Sequence, residues 1–205
     1  MAMYGSGMSD VLRRVIRMMG KSPSGISFTI ISEAYGNGSA SLASGNSGDL
    51  VLGFGLGDAR VVPGGTMLRE LAPGYGSGVS YVITGSAVTM TATYDCWLVR
   101  LRPSKAITSI TAGSTVSSIN TSTGSVASYG STGTNIVVAF GQQQTYGAFV
   151  EFTGLTNMRS TTVRPAYGFC QVALNPTPSN SAPFTVTGGT MYPSTYAGAV
   201  QLNVN

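Results

Sequence analysis

The chain contains no histidine. Without an imidazole there is no Ser-His-Asp or Cys-His relay to activate a nucleophile, and the commonest ligand of transition metals is missing. Charge is scarce as well. Asp, Glu, Lys and Arg make up 9% of the 205 residues, against roughly 25% in ordinary soluble domains. The acids are Asp10, Glu33, Asp49, Asp58, Glu70, Asp95 and Glu151. Glycoside hydrolysis needs two carboxyls facing each other across a cleft, one of them kept protonated. Folding could pair Glu70 with Asp95, or Glu33 with Glu151, but no local pattern marks either couple. Asp49 and Asp58 lack the further carboxylates of a calcium loop. Gly53-x-Gly55-x-Gly57 has the wrong spacing for a dinucleotide fingerprint, and no GxxxxGK[ST] loop occurs. These absences argue against an enzyme and imply no metal and no cofactor.

Cysteine is nearly absent too. Cys96 and Cys170 stand in YDCWL and YGFCQV, and bulky neighbours read as reduced thiols buried in strands. Whether the two pair is open, since two cysteines in a sequence do not fix a bridge. No stretch of about 18 apolar residues exists, so no membrane-crossing helix and no membrane partner are expected. The leading basic residues are followed by an apolar run broken by charge, with no small-residue cleavage site, so no signal peptide is expected. Asn37-Gly38-Ser39 and Asn120-Thr121-Ser122 match the glycosylation pattern, and without a signal peptide they read as polar turns.

What is present is small and neutral. There are 28 glycines, 42% of residues are hydrophobic, and mean hydropathy is +0.20. That suffices to bury a sizeable core in one domain. The net charge of +4 and pI of about 9.2 do not form a binding stripe. Arg13, Arg14, Arg17 and Lys21 sit in the first segment, and the other basic residues are scattered among acids. Nucleic-acid modules show a dense basic patch with interleaved aromatics, so no nucleic acid is expected as a partner. A neutral surface of small residues lacks the charge repulsion that keeps proteins apart, which points to contact with protein neighbours.

The chain divides into an arm, residues 1–25, and a single domain, residues 26–205. The spacing predicts an amphipathic helix over 9–19, capped by Ser9 or Asp10 and ended by Gly20. Val11, Leu12, Val15, Ile16, Met18 and Met19 share one face, and Arg13, Arg14 and Arg17 the other. Lys21-Ser22-Pro23-Ser24-Gly25 reads as a hinge. The candidate docking residues are therefore Val11, Leu12, Val15, Ile16 and Met19, with Arg13, Arg14 and Arg17 meeting an acidic partner surface.

From Ile26 on, the pattern is that of strands. In SGDLVLGFGLG, Leu50, Leu52, Phe54 and Leu56 fall on one face, and Val51, Gly53, Gly55 and Gly57 on the other. This is predicted as a central strand whose bare face is covered by something else or bends there. Gly36-Asn37-Gly38 is predicted as a tight turn. Met67–Leu71, Val79–Thr84, Val88–Leu101, Ile136–Phe140, Ala148–Phe152, Phe169–Leu174, Phe184–Thr187 and Ala197–Val204 are further strands, with thin strands and loops over 104–135. With no crossover helices between strands, pairing should be antiparallel. The expected fold is all-β, an antiparallel β-sandwich carrying a short N-terminal helix.

The run SLASGNSGDLVLGFGLGDARVVPGG resembles β-sandwich modules of tailed-phage virion proteins: small polar residues, a Gly-Asp-Leu strand start, an apolar strand and a Pro-Gly turn. VTMTATYDCWLVRLRP resembles the second core strand of such modules, and YAGAVQLNVN the closing strand. The resemblance implies a jelly-roll-like structural protein that decorates and stabilises a capsid (a cement protein). It implies the major capsid protein or another virion protein as partner, and the virion as location after synthesis in the host cytoplasm. The alternative is a tail-fibre or receptor-binding module, in which Tyr75, Tyr81, Tyr146, Tyr167, Tyr192 and Tyr196 would contact glycan or protein. Low charge and exposed strand edges favour a homo-oligomer, a dimer or trimer.

Overall fold

A computed structural model describes residues 25–57, 61–71, 77–112, 116–117, 123–126, 136–142, 149–152, 158–160, 168–174, 182–187 and 196–205. The predicted helix over 9–19 and its hinge up to residue 24 lie outside the described residues.

The described chain is all-β. Its strands are β1 (Phe28–Leu42), β2 (Leu50–Gly55), β3 (Thr66–Leu71), β4 (Ser77–Ile83), β5 (Val88–Pro103), β6 (Ile110–Ala112) and β7 (Val116–Ser117). There follow β8 (Thr123–Val126), β9 (Ile136–Gln142), β10 (Phe149–Phe152), β11 (Met158–Ser160), β12 (Gly168–Leu174), β13 (Ala182–Thr187) and β14 (Tyr196–Val204). Every ladder among the described residues is antiparallel, as the lack of crossover helices predicts.

A five-stranded sheet has the order β1-β5-β2-β4-β3, and a six-stranded path runs β11-β12-β9-β14 and then β6, with β7 also on β14. A smaller sheet has the order β10-β13-β8. It is tied to the six-stranded one where the Phe152 N–H donates to Gln171 Oε1 at 3.3 Å. The first five strands thus all lie in one sheet. A jelly roll winds two Greek keys through both of its sheets. The jelly-roll connectivity expected from the resemblance is therefore not the one observed. Most ladders join strands that are not consecutive, such as β1 with β5 and β9 with β14, yet the two halves of the chain part into different sheets.

One apolar core joins the two larger sheets. Leu50, Leu52, Phe54, Leu56, Trp97, Val99 and Leu101 of the first half meet Ile136, Val138, Phe140, Cys170, Val172, Val200, Leu202 and Val204 of the second. Each large side chain buried this way contributes about 1.5–3 kcal/mol relative to exposure. The Phe54 and Phe140 rings lie 6.1 Å apart, tilted by 35°.

β2 is central, as its sequence predicts, and buried on both faces. The second face owes its cover to a folded ribbon. β1 and β5 pair from Phe28↔Pro103 to Leu42↔Val88, with a register shift between Asn37 and Ser39. There the ribbon bends: a Cβ on Gly36 would collide with the Ser39 carbonyl, and Gly38 sits at φ +86°. Beyond the bend, Ala40, Leu42, Val88 and Met90 pack with Val51, Val62, Cys96 and Leu98 in a second apolar cluster. Gly53 makes room for it, since a Cβ there would lie 3.1 Å from Met90 Sδ and 3.2 Å from Leu98 Cδ2 and Val62 Cβ. The bare face is thus a seat for another layer. Gly36–Gly38, in contrast, does not end the strand as a turn would. Gly38 faces three residues of β5, Ala92, Thr93 and Tyr94, which form the irregularity, and the ladder resumes at Ser39.

Candidate functional site

The sequence-predicted docking residues Val11, Leu12, Arg13, Arg14, Val15, Ile16, Arg17 and Met19 lie outside the described residues. The buried charged side chains among the described residues, Asp49, Asp95 and Arg100, form two polar groups, both in the five-stranded half.

The first is built on Asp49, just ahead of β2, and on Arg100 and Arg102 of β5. Strand alternation places Arg100 and Arg102 on the face of Leu98, and Val51 pairs with Arg100, which brings Asp49 to the same side. Arg102 grips the carboxylate with two bonds, Nε to Oδ1 at 3.0 Å and Nη2 to Oδ2 at 3.1 Å. Arg100 Nη1 stands 3.8 Å from Oδ2, and the Asn46 N–H donates to Oδ2 at 2.9 Å. The rest of the Arg100 guanidinium is turned on backbone, with Nη1 donating to the Thr84 carbonyl and Nη2 to the Ser86 carbonyl, both at 2.7 Å. Asp49 and Arg100 are each only 1% exposed. The group clamps the loop before β2 to the loop between β4 and β5, which also meet where the Gly45 N–H donates to the Gly85 carbonyl at 2.9 Å. Both glycines are obligatory by space: a Cβ on Gly45 would strike Asp49 Oδ2, and one on Gly85 would lie 2.8 Å from the Ser47 nitrogen. The Arg102 bonds hold the Asp49 carboxyl below its ordinary value, against the opposing pull of burial.

The second group lies at the ribbon bend. The Tyr35 hydroxyl donates to Asp95 Oδ1 at 2.7 Å and Asn37 Nδ2 reaches the same oxygen at 3.3 Å. Asp95 is 1% exposed, and its backbone carbonyl accepts from the Leu56 N–H at 2.9 Å.

The first carboxylate couple considered from the sequence does not come together. Glu70 on β3 and Asp95 on β5 are three strand spacings apart, about 14 Å, and their ladder partners put them on opposite faces of the sheet. Glu33 is on β1 in the five-stranded sheet, whereas Glu151 is on β10 in the small one. Among the described residues no group of three His, Cys, Asp or Glu stands close enough to hold a metal. Of the tyrosines considered for glycan contact, Tyr81 lies on β4, half-buried against the shared core, and Tyr196 opens β14. Tyr75, Tyr146, Tyr167 and Tyr192 lie outside the described residues.

Cys96 and Cys170 are free and buried, one in each apolar cluster. Burial pushes the Cys96 thiol up to about 11, helped by the neighbouring Asp95 charge, and burial drives Cys170 well above 9.0. The thiolate is the reactive form. Both are expected to resist iodoacetamide at neutral pH in the folded protein and to react within minutes in urea. Labelling followed by mass spectrometry checks this, and fast alkylation of the native chain would contradict the packing.

The Asp49–Arg100–Arg102 group was not singled out by sequence reasoning. A faint signal was available, because VRLRP places two arginines on one face of a strand that is otherwise apolar. The large exposed apolar side chains among the described residues, Ile31, Val61, Ile83 and Tyr94, come from four separate segments. Compared with protein-family models, with curated proteins and with solved structures, the chain matches none.

Proposed function

We propose that this chain is a non-enzymatic structural protein of a tailed-phage virion, a β-sandwich that binds and stabilises the capsid surface as a decoration protein. The observation that most supports this reading is where the polar chemistry goes. Arg100, the largest fully buried side chain among the described residues, turns its guanidinium on two backbone carbonyls and Asp49. Asp95 is likewise used by Tyr35 and Asn37. These groups brace a rigid body. The composition adds support: at 9% charged residues the surface has little to repel a protein neighbour.

In this reading the body rests on the major capsid protein or another virion protein. Val11, Leu12, Val15, Ile16 and Met19 dock into it, with Arg13, Arg14 and Arg17 against acidic groups. Copies associate as dimers or trimers. Each contact is modest, and linkage through the arm raises the effective concentration of the second contact once the first is made.

The test is particle binding by the full chain. Leu12→Asp with Ile16→Asp is expected to lower particle occupancy at least several-fold while the circular dichroism of the body is unchanged. Unchanged occupancy would sink the arm model. Hundreds of copies per particle fit decoration, whereas a handful would turn the reading to a tail-fibre or receptor-binding module.

A further inference from the structure

Asn37 is followed by Gly38, and no other Asn-Gly pair occurs in the chain. The pair stands at the ribbon bend. Asn37 is the last residue in register before the shift, pairing with Asp95, and Gly38 has no ladder partner. Gly38 has φ +86°, and a Cβ built on it would meet nothing within 4 Å. Asn37 is exposed, yet its amide Nδ2 lies 3.3 Å from Oδ1 of the buried Asp95.

We propose that Asn37–Gly38 is a site of spontaneous intramolecular deamidation, and that the modification loosens the bend by setting a new carboxylate against Asp95. The Gly38 backbone nitrogen attacks Asn37 Cγ. The N–Cγ bond forms, the Cγ–Nδ2 bond breaks, and the Gly38 amide proton leaves with Nδ2 as ammonia. One water then opens the five-membered imide to aspartate or to isoaspartate, so the net change is one water consumed and one ammonia released. Glycine suits the attacking position because no side chain shields its nitrogen. A residue outside the ladder is also freer to turn its peptide toward the amide.

The consequence is local electrostatics. Before the reaction a donor faces Asp95 Oδ1; afterwards an anion does, and two carboxylates that close oppose each other's ionisation. Asp95 is 1% exposed, so little water is at hand to screen the two charges. The isoaspartate product also lengthens the main chain at the residue where the ribbon turns over β2. The cover supplied by Ala40, Leu42, Val88 and Met90 is carried on that turn.

The experiment is prolonged incubation of the full chain at 37 °C in neutral buffer, with peptide mapping by mass spectrometry. The peptide holding residue 37 is expected to gain one mass unit and split into two chromatographic products, ahead of every other asparagine in the described residues. If residue 37 keeps its amide over a period in which the urea-unfolded chain loses it, the fold holds the groups out of reach and the proposal is overturned. The effect on the bend is read separately. Asn37→Asp is expected to unfold at lower urea than Asn37→Ser, which loses the same hydrogen bond without gaining charge. Equal midpoints would remove the electrostatic consequence.

Discussion

Asp49→Ala is expected to lower the unfolding free energy by about 3–5 kcal/mol, the usual cost of stranding a buried charge by removing its partner. The stranded group is Arg100, 1% exposed, whose Nε already has no hydrogen-bond partner among the described residues. Arg102 is less affected, because its side chain is 38% exposed and water can take over from the carboxylate. Urea unfolding of the full chain measures the loss, and a change under about 1 kcal/mol would mean that the clamp is solvated in a way the burial of Asp49 and Arg100 denies. The same carboxylate gives the fold a signed response to acid. Asp49 ionises below 3.8 in the folded chain because the Arg102 bonds favour its charged form. Its contribution is therefore complete above the unfolded value of 3.8 and is lost as pH falls through the lower folded value. Asp49→Asn is expected to flatten the stability profile of that acid window and to leave its slope near neutrality unchanged.

Phe54→Ala is expected to cost about 3–5 kcal/mol, the range for emptying a buried aromatic site. Phe54 is 1% exposed on the central strand, and its ring meets Phe140 from the opposing sheet at 6.1 Å. The cavity would open where the two sheets join, with rigid strands on both sides and little freedom to collapse. In a double-mutant cycle, Phe54→Ala with Phe140→Ala should cost about 0.5–1.5 kcal/mol less than the sum of the two separate losses, because the shared ring contact is lost only once. Additive losses would show that the rings share a core without touching productively. Gly53→Val, on the reverse face of the same strand, is expected to destabilise by about 1–3 kcal/mol through overpacking against Met90, Leu98 and Val62.

The central strand was legible because its period of two is unbroken from Leu50 to Leu56, and the bare face already called for a covering layer. The identity of that layer was not legible. Asn-Gly flanked by glycine signals a hairpin and a bulge equally well, since both need a positive φ, and only the ladder partners of Ser39 decide between them. β11 escaped because three residues, Met158–Ser160, offer no period to read. Asp49 and Arg100 are distant in sequence, and nothing local tells a buried arginine from an exposed one on an edge. Turn residues likewise mark where strands end but not which sheet the next one joins, so the partition of the chain into halves had no signature.

That partition sets an order of events during synthesis. Residues 28–103 can complete every ladder of the five-stranded sheet while the remainder is still being translated. The inner side chains Leu50, Leu52, Phe54, Val99 and Leu101 then face water until Ile136–Gln142 and the strands beside it arrive. A nascent chain in that condition is sticky along one whole side. Release of a prematurely terminated product ending near Pro103 should therefore give aggregates or chaperone-bound material, with the greasy side of a finished sheet as the adhesive.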